Sequence, residues 1–251
     1  MLLAGKNAVV YGGGGAIGGA IARAFAEEGA RVFLAGRTRA KLDKVADDIR
    51  AAGGQADVAE LDALDEQAVD AHADAVAAAG GSLDVSVNVI SHGDVQGTPL
   101  LEMSLADYEQ PVVTAVRTTF LTARAAGRHM KRQGSGVILV FGGDGDPVRE
   151  HSVGGLQVAF HALEAMRRQL AAELGRYGVR TVTLRTGGVP ETLPADFPAA
   201  EQLGAELAKS TMLGRAATLA DVGAVAAFVA SDRARTMTAA TANISCGALV
   251  D

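Results

Sequence analysis

The chain has 251 residues, 49% of them hydrophobic and 21% charged, with 31 glycines against 6 prolines. That is too apolar for a disordered chain, and it lacks the glycine period of a collagen. A formal net charge of −6 and the absence of a concentrated Lys/Arg tract argue against a nucleic-acid partner.

Short β-like runs alternate with longer helical ones along the chain. Residues 6–11 read as a buried strand, followed by glycines and a helix that Gly29 ends. Residues 31–35 form the second strand, and Thr38 is the expected N-cap of a helix terminated by Gly53 and Gly54. Residues 56–61 predict a third strand, 65–79 a helix and 83–90 a fourth strand. A helix is expected over 104–131, with Pro111 kinking or breaking it near its start. Strand 136–141, helix 154–176, strand 179–185, a loop over 186–198, helix 219–231 and strand 241–246 complete the pattern. This alternation predicts an α/β fold, a doubly wound parallel sheet of about seven strands with helices on both faces. With no repeat and no linker, residues 1–251 read as one domain.

The single cysteine, Cys246, has no internal disulfide partner and is expected as a buried, inert thiol. A polar residue, Lys6, arrives too early for a signal peptide, and the longest apolar stretch, 224–230, is far short of a membrane span. These features predict a soluble, cytoplasmic protein.

Between the first strand and first helix lies a glycine-rich turn in which Gly13, Gly15 and Gly18 fit the G-x-G-x-x-G spacing. Glycines let the backbone turn tightly and approach a pyrophosphate, whose charge the helix N-terminus favours. With five glycines in residues 12–18, such a match arises easily; its position directly after a strand makes it informative.

From here the chain resembles the short-chain dehydrogenase/reductase family over nearly its full length. The family's T-G-x-x-x-G-x-G reads as Tyr11, Gly12, Gly15, Ala16, Ile17 and Gly18, with Tyr for Thr and Ala for the middle Gly. Its D-V-x-D segment is similar to Asp62-Ala63-Leu64-Asp65, and its N-N-A-G is reduced to Asn88-Val89-Ile90-Ser91. The loop after the sixth strand reads Thr186-Gly187-Gly188-Val189-Pro190-Glu191-Thr192, and the C-terminal run from Leu213 to Gly247 is also similar. The resemblance implies a single-domain Rossmann fold and a nicotinamide dinucleotide held by Gly12, Gly13, Gly15, Ile17, Gly18, Asp62, Asn88, Gly187, Val189 and Thr192. It also implies a homo-oligomer through helices 104–131 and 154–176, where alanines such as Ala123, Ala125, Ala171 and Ala172 allow close approach. The second strand ends in Gly36, where an acidic residue would bind the ribose of NAD. Arg37, beside Thr38, can pair with a 2′-phosphate, so NADP is expected ahead of NAD.

The family's proton donor is a Tyr in Y-x-x-x-K, assisted by a Ser and an Asn. Aligning Ala162-Leu163-Glu164-Ala165 with the family's A-L-E-A puts Leu156 in the Tyr slot, Phe160 in the Lys slot and Gly143 in the Ser slot. Counting back from Phe120 puts Ala115 in the Asn slot. A shift in register restores nothing, since no tyrosine precedes a lysine by four or seven residues. The polar loop after strand 136–141 supplies Asp144 and His151 as replacement proton carriers, or is simply a solvated turn. His92 is a weaker candidate, His161 is expected in packing or at a subunit interface, and no histidine spacing suggests a metal site. Three classes follow: an NADP(H)-linked oxidoreductase of a small carbonyl, imine or activated alkene with an altered proton donor; a non-redox cyclase, isomerase or lyase; or a non-catalytic cofactor-binding protein.

Overall fold

A computed structural model describes residues 1–143, 151–193 and 200–250. Seven strands, β1 (Asn7–Tyr11), β2 (Arg31–Gly36), β3 (Gln55–Glu60), β4 (Val85–Asn88), β5 (Gly136–Gly142), β6 (Val179–Arg185) and β7 (Ala240–Asn243), form one sheet. Their order is β3-β2-β1-β4-β5-β6-β7, and every pairing is parallel. Seven α-helices accompany them among the described residues: α1 (Ala16–Glu27), α2 (Arg39–Ala51), α3 (Glu66–Gly80), α4 (Leu105–Gln133), α5 (Leu156–Leu174), α6 (Ala200–Lys209) and α7 (Leu219–Ala230).

Both sheet faces are covered, so the central strands β1 and β4 are buried along their whole length. Ala8 and Val10 point into the layer of α1, α2 and α7, whereas Val9 and Tyr11 point into the layer of α3 and α4. From β1 the chain steps outward to β2 and β3, then crosses back to β4 on the other side of β1. A crevice therefore opens at their carboxyl ends, where doubly wound sheets bind ligands.

Several expectations shift. Pro111 does not break α4, which runs through it unbroken; a proline removes only one backbone bond, and here it is buried. Thr38 stands at the N-cap of α2, but its side chain makes no capping bond. α6 was not foreseen, although Leu203 and Leu207 have helical spacing. β7 ends at Asn243, short of Cys246, because Asn243 and Ser245 close a turn: Asn243 Oδ1 accepts from Ser245 N at 3.2 Å, and Leu249 N donates to Ser245 Oγ at 3.1 Å. Cys246 consequently has φ 55° and is half-buried.

Candidate active site

A cleft of about 770 Å³ lies at the carboxyl ends of the central strands. Its outer end is made by the turn after β1. Gly12 has φ 85°, and a Cβ there would lie 2.7 Å from the Val89 carbonyl oxygen, so only glycine lets the turn rest on the end of β4. Gly18 likewise sits against the Gly12 backbone. No side chain caps the start of α1, which leaves its positive end to face the cleft.

Gly12, Gly15, Ile17, Gly18, Arg37, Thr38, Asp62, Asn88 and Thr192 all line this cleft. Gly13 does not; it is a packing glycine, where a Cβ would meet Leu34 Cδ2 at 2.8 Å. Gly187 and Val189 are also outside the lining, the first against Ala248 and the second buried in the core. Arg39 is paired with Asp43 at 2.9 Å, whereas Arg37 and Lys41, which line the cleft, have no carboxylate partner among the described residues. Asp62 is exposed, and its carboxylate accepts from Leu64 N at 3.0 Å. Asn88 is buried and bolts β4 to α4. Its amide faces the hydroxyls of Thr118, Thr119 and Thr122 at 3.2–3.4 Å, while its carbonyl accepts from Ile90 N at 3.0 Å.

The inner end is apolar. Ile90, Phe141, Leu156 and Phe160 are half-buried and line it. Leu156 and Phe160 lie one turn apart on α5 and so share a face. A Cβ on Gly143 would come within 2.4 Å of Phe160 Cε2, so the ring fills the space that a side chain at 143 would need. Ala115 is fully buried with Val140, Ala159 and Leu163 and does not reach the cleft.

Polar groups face this wall from α4 and from the segment after β4. Gln110 Nε2 donates to Thr114 Oγ1 at 2.8 Å, and both residues line the cleft with Thr118. Their spacing of four residues was a legible signal that the sequence analysis did not use. The ring of His92 meets Phe160 edge-on, with centroids 6.0 Å apart and planes at 65°. Burial lowers its pKa, against a smaller upward pull from Asp94.

Asp144 lies outside the described residues. His151 is exposed, is not part of the lining, and bonds through Nε2 to Gln96 Oε1 at 2.9 Å; Gln96 itself lines the cleft. Tyr11 directs its hydroxyl to His72 Nδ1, 3.5 Å away, where burial and then the charge of Asp70 raise its pKa well above the usual range. Tyr108 and Tyr177 stand outside the cleft, and His161 is exposed. Among the described residues, no group of three or more His, Cys, Asp or Glu side chains could hold a metal ion, and no helix is long and apolar enough to cross a membrane.

The family described as enoyl-(acyl carrier protein) reductase matches residues 14–248. The chain belongs to the short-chain dehydrogenase/reductase family. It is 32% identical to a galactitol 2-dehydrogenase (L-tagatose-forming) of Cereibacter sphaeroides, covering 98% of this chain and 95% of that one. Among solved structures, a short-chain type dehydrogenase/reductase from Mycobacterium marinum superposes with a TM-score of 0.87 at 26% identity, over 99% of this chain and 97% of that one. A Beutenbergia cavernae protein described as an NAD(P)-dependent gluconate 5-dehydrogenase, with NADP bound at low occupancy, gives 0.86 at 30% identity, over 99% and 98% of the two chains. Members of this short-chain dehydrogenase/reductase family bind nicotinamide cofactors, and the cleft of this one has the glycine turn and uncapped helix start that such a cofactor needs.

Proposed function

We propose that the protein is an NADP(H)-linked oxidoreductase that acts on a small carbonyl, imine or activated alkene and uses a proton carrier other than tyrosine. One observation carries this reading: one cleft joins the glycine turn, Arg37 and Lys41, which have no carboxylate partner among the described residues, and the apolar wall of Leu156 and Phe160. In this reading Gly12, Gly15, Ile17 and Gly18 hold the pyrophosphate at the start of α1. Arg37 and Lys41 take the 2′-phosphate that Gly36 does not repel, and Asp62 meets the adenine. Asn88, Gly187, Val189 and Thr192 frame the nicotinamide half, Gly187 and Val189 by supporting the loop that carries Thr192. When bound, the cofactor supplies or accepts a hydride. Leu156 and Phe160 then keep water from the reacting carbon, and Asp144 and His151, which follow β5, pass protons on to solvent. Cytoplasmic residence and a homo-oligomer through α4 and α5 belong to the same reading, supported by exposed Val113, Phe120 and Val158 on those helices.

The test is calorimetry with NADPH and NADH on the wild type and Arg37→Ala. NADPH should bind more tightly, and the substitution should weaken it by about 1.5–3 kcal/mol, the worth of a charged hydrogen bond, while leaving NADH unchanged. Equal affinities that ignore the substitution overturn the preference. A second reading, a cyclase, isomerase or lyase on this scaffold, is favoured by the Phe160 ring lying over Gly143, where the family carries polar groups. Turnover of substrate without consumption of NADPH would establish it.

A further inference from the structure

We propose that His92 is the residue that exchanges a proton with substrate in this cleft, and that the substrate is a secondary alcohol bearing a flat apolar substituent, or its ketone, seated against Phe160. The inference rests on the dinucleotide reading above for its hydride acceptor, and on the inner end of the cleft for the rest.

Ile90, Phe141, Leu156 and Phe160 offer a flat ring or chain an apolar seat, and an aromatic ring gains from edge or offset contact with phenylalanine. The polar groups opposite them are few. Gln110 occupies one lone pair of Thr114 Oγ1, and the Thr114 hydroxyl proton has no partner among the described residues, so it is available to a substrate oxygen. Neither ring nitrogen of His92 has a hydrogen-bond partner among the described residues, and neither is sealed from the cleft. The other titratable lining groups are engaged or distant. Tyr11 bonds His72, Asp94 accepts from Gln96 at 2.6 Å, and Arg37, Lys41 and Asp62 stand at the glycine-turn end.

Among the described residues the charged group that acts on His92 is Asp94, and its pull is smaller than the effect of burial, which favours the neutral imidazole. A neutral imidazole has one nitrogen able to accept a proton. The step then balances. The alcohol O–H proton passes to that nitrogen, and the electron pair of the C–H bond leaves with its hydrogen as hydride to the oxidised dinucleotide. The carbon–oxygen bond becomes double, and the imidazolium returns its proton to water.

Acetophenone, added to protein free of dinucleotide, is the first probe. With histidine isotopically labelled, it should shift the His92 ring signals and leave those of the other four histidines in place. In NADP-dependent oxidation of 1-phenylethanol, the wild-type rate should rise with pH through the lowered His92 pKa and then level off. His92→Asn should reduce kcat by about 10²–10⁴-fold, remove that pH dependence and leave NADPH affinity unchanged. Acetophenone that moves no His92 signal up to its solubility limit overturns the assignment. So does a His92→Asn protein that keeps its rate and profile, or a loss of rate confined to Asp144→Ala or His151→Ala. Failure of the wild type to bind NADPH overturns only the dinucleotide reading, and the acetophenone titration still decides the fate of His92.

Discussion

At the α1 end of the cleft, shape is made by backbone: Gly12 and Gly18 bring chain against chain, and the uncapped helix start offers amides. At the α5 end, shape is made by side chains: Phe160 lies over Gly143 and Leu156 stands beside it. A backbone-built site tolerates almost no added atom, because the neighbour that must move is the main chain itself. A side-chain-built site can trade volume between partners and so can change its chemistry while the fold stays put. The difference explains how one cleft keeps a rigid glycine turn while its opposite wall is apolar.

The sharpest way to break this contrast is Gly12→Val. A valine at φ 85° is strained, and its Cβ would sit 2.7 Å from the Val89 carbonyl. We expect a loss of about 3 kcal/mol or more in denaturant unfolding. A stable variant would show that the turn is not fixed by backbone contact.

Beneath the same turn, burial pushes His72 from 6.5 down to about 4, beside the Tyr11 hydroxyl. Between those values the unfolded chain binds more protons than the native one. Stability is therefore complete above about pH 6.5 and falls as the pH drops toward 4, by at most about 3 kcal/mol. His72→Gln should flatten that fall, measured as unfolding midpoints at pH 7 and pH 5.

At the other end, Gly143→Ala should cost about 1–3 kcal/mol by crowding Phe160. Phe160→Ala should remove most of that penalty, so the double variant is more stable than the sum of the singles. Additive effects would mean that the two positions do not share the space.

The smallest effect distinguishes two helix starts. Thr218 closes a capping box with Asp221, whose carboxyl Arg215, and then the Thr218 amide, hold down to about 2. Thr218→Ala should lower stability by about 1 kcal/mol. Thr38 makes no such bond at the start of α2, and Thr38→Ala should stay within about 0.5 kcal/mol. Equal losses would give Thr38 a capping role that its geometry lacks.

The order of elements, six of the seven helices, and the place of the glycine turn were readable along the chain, because each depends on neighbours within a few residues. The alternation of β1 side chains between the two sheet faces, Asp65 capping α3, and Gly134 in left-handed conformation at the end of α4 are local events. The helix 200–209 escaped notice because it follows proline-rich chain and has only a narrow apolar stripe.

Leu156 and Phe160 were visible as residues, and their spacing put them on one face of α5. That Phe160 occupies the volume above Gly143, that His92 meets that ring, and that Gln110 and Thr114 face the same space arise between segments far apart in sequence. Likewise, only the fold turned Tyr11 toward His72 and placed His151 in solvent beside Gln96. Sequence alone determined which backbone could form, since strands, helix starts and glycine turns are set by local sterics and hydrogen bonding. The tertiary structure decided which side chains share a cavity, since packing joins residues that no periodicity relates.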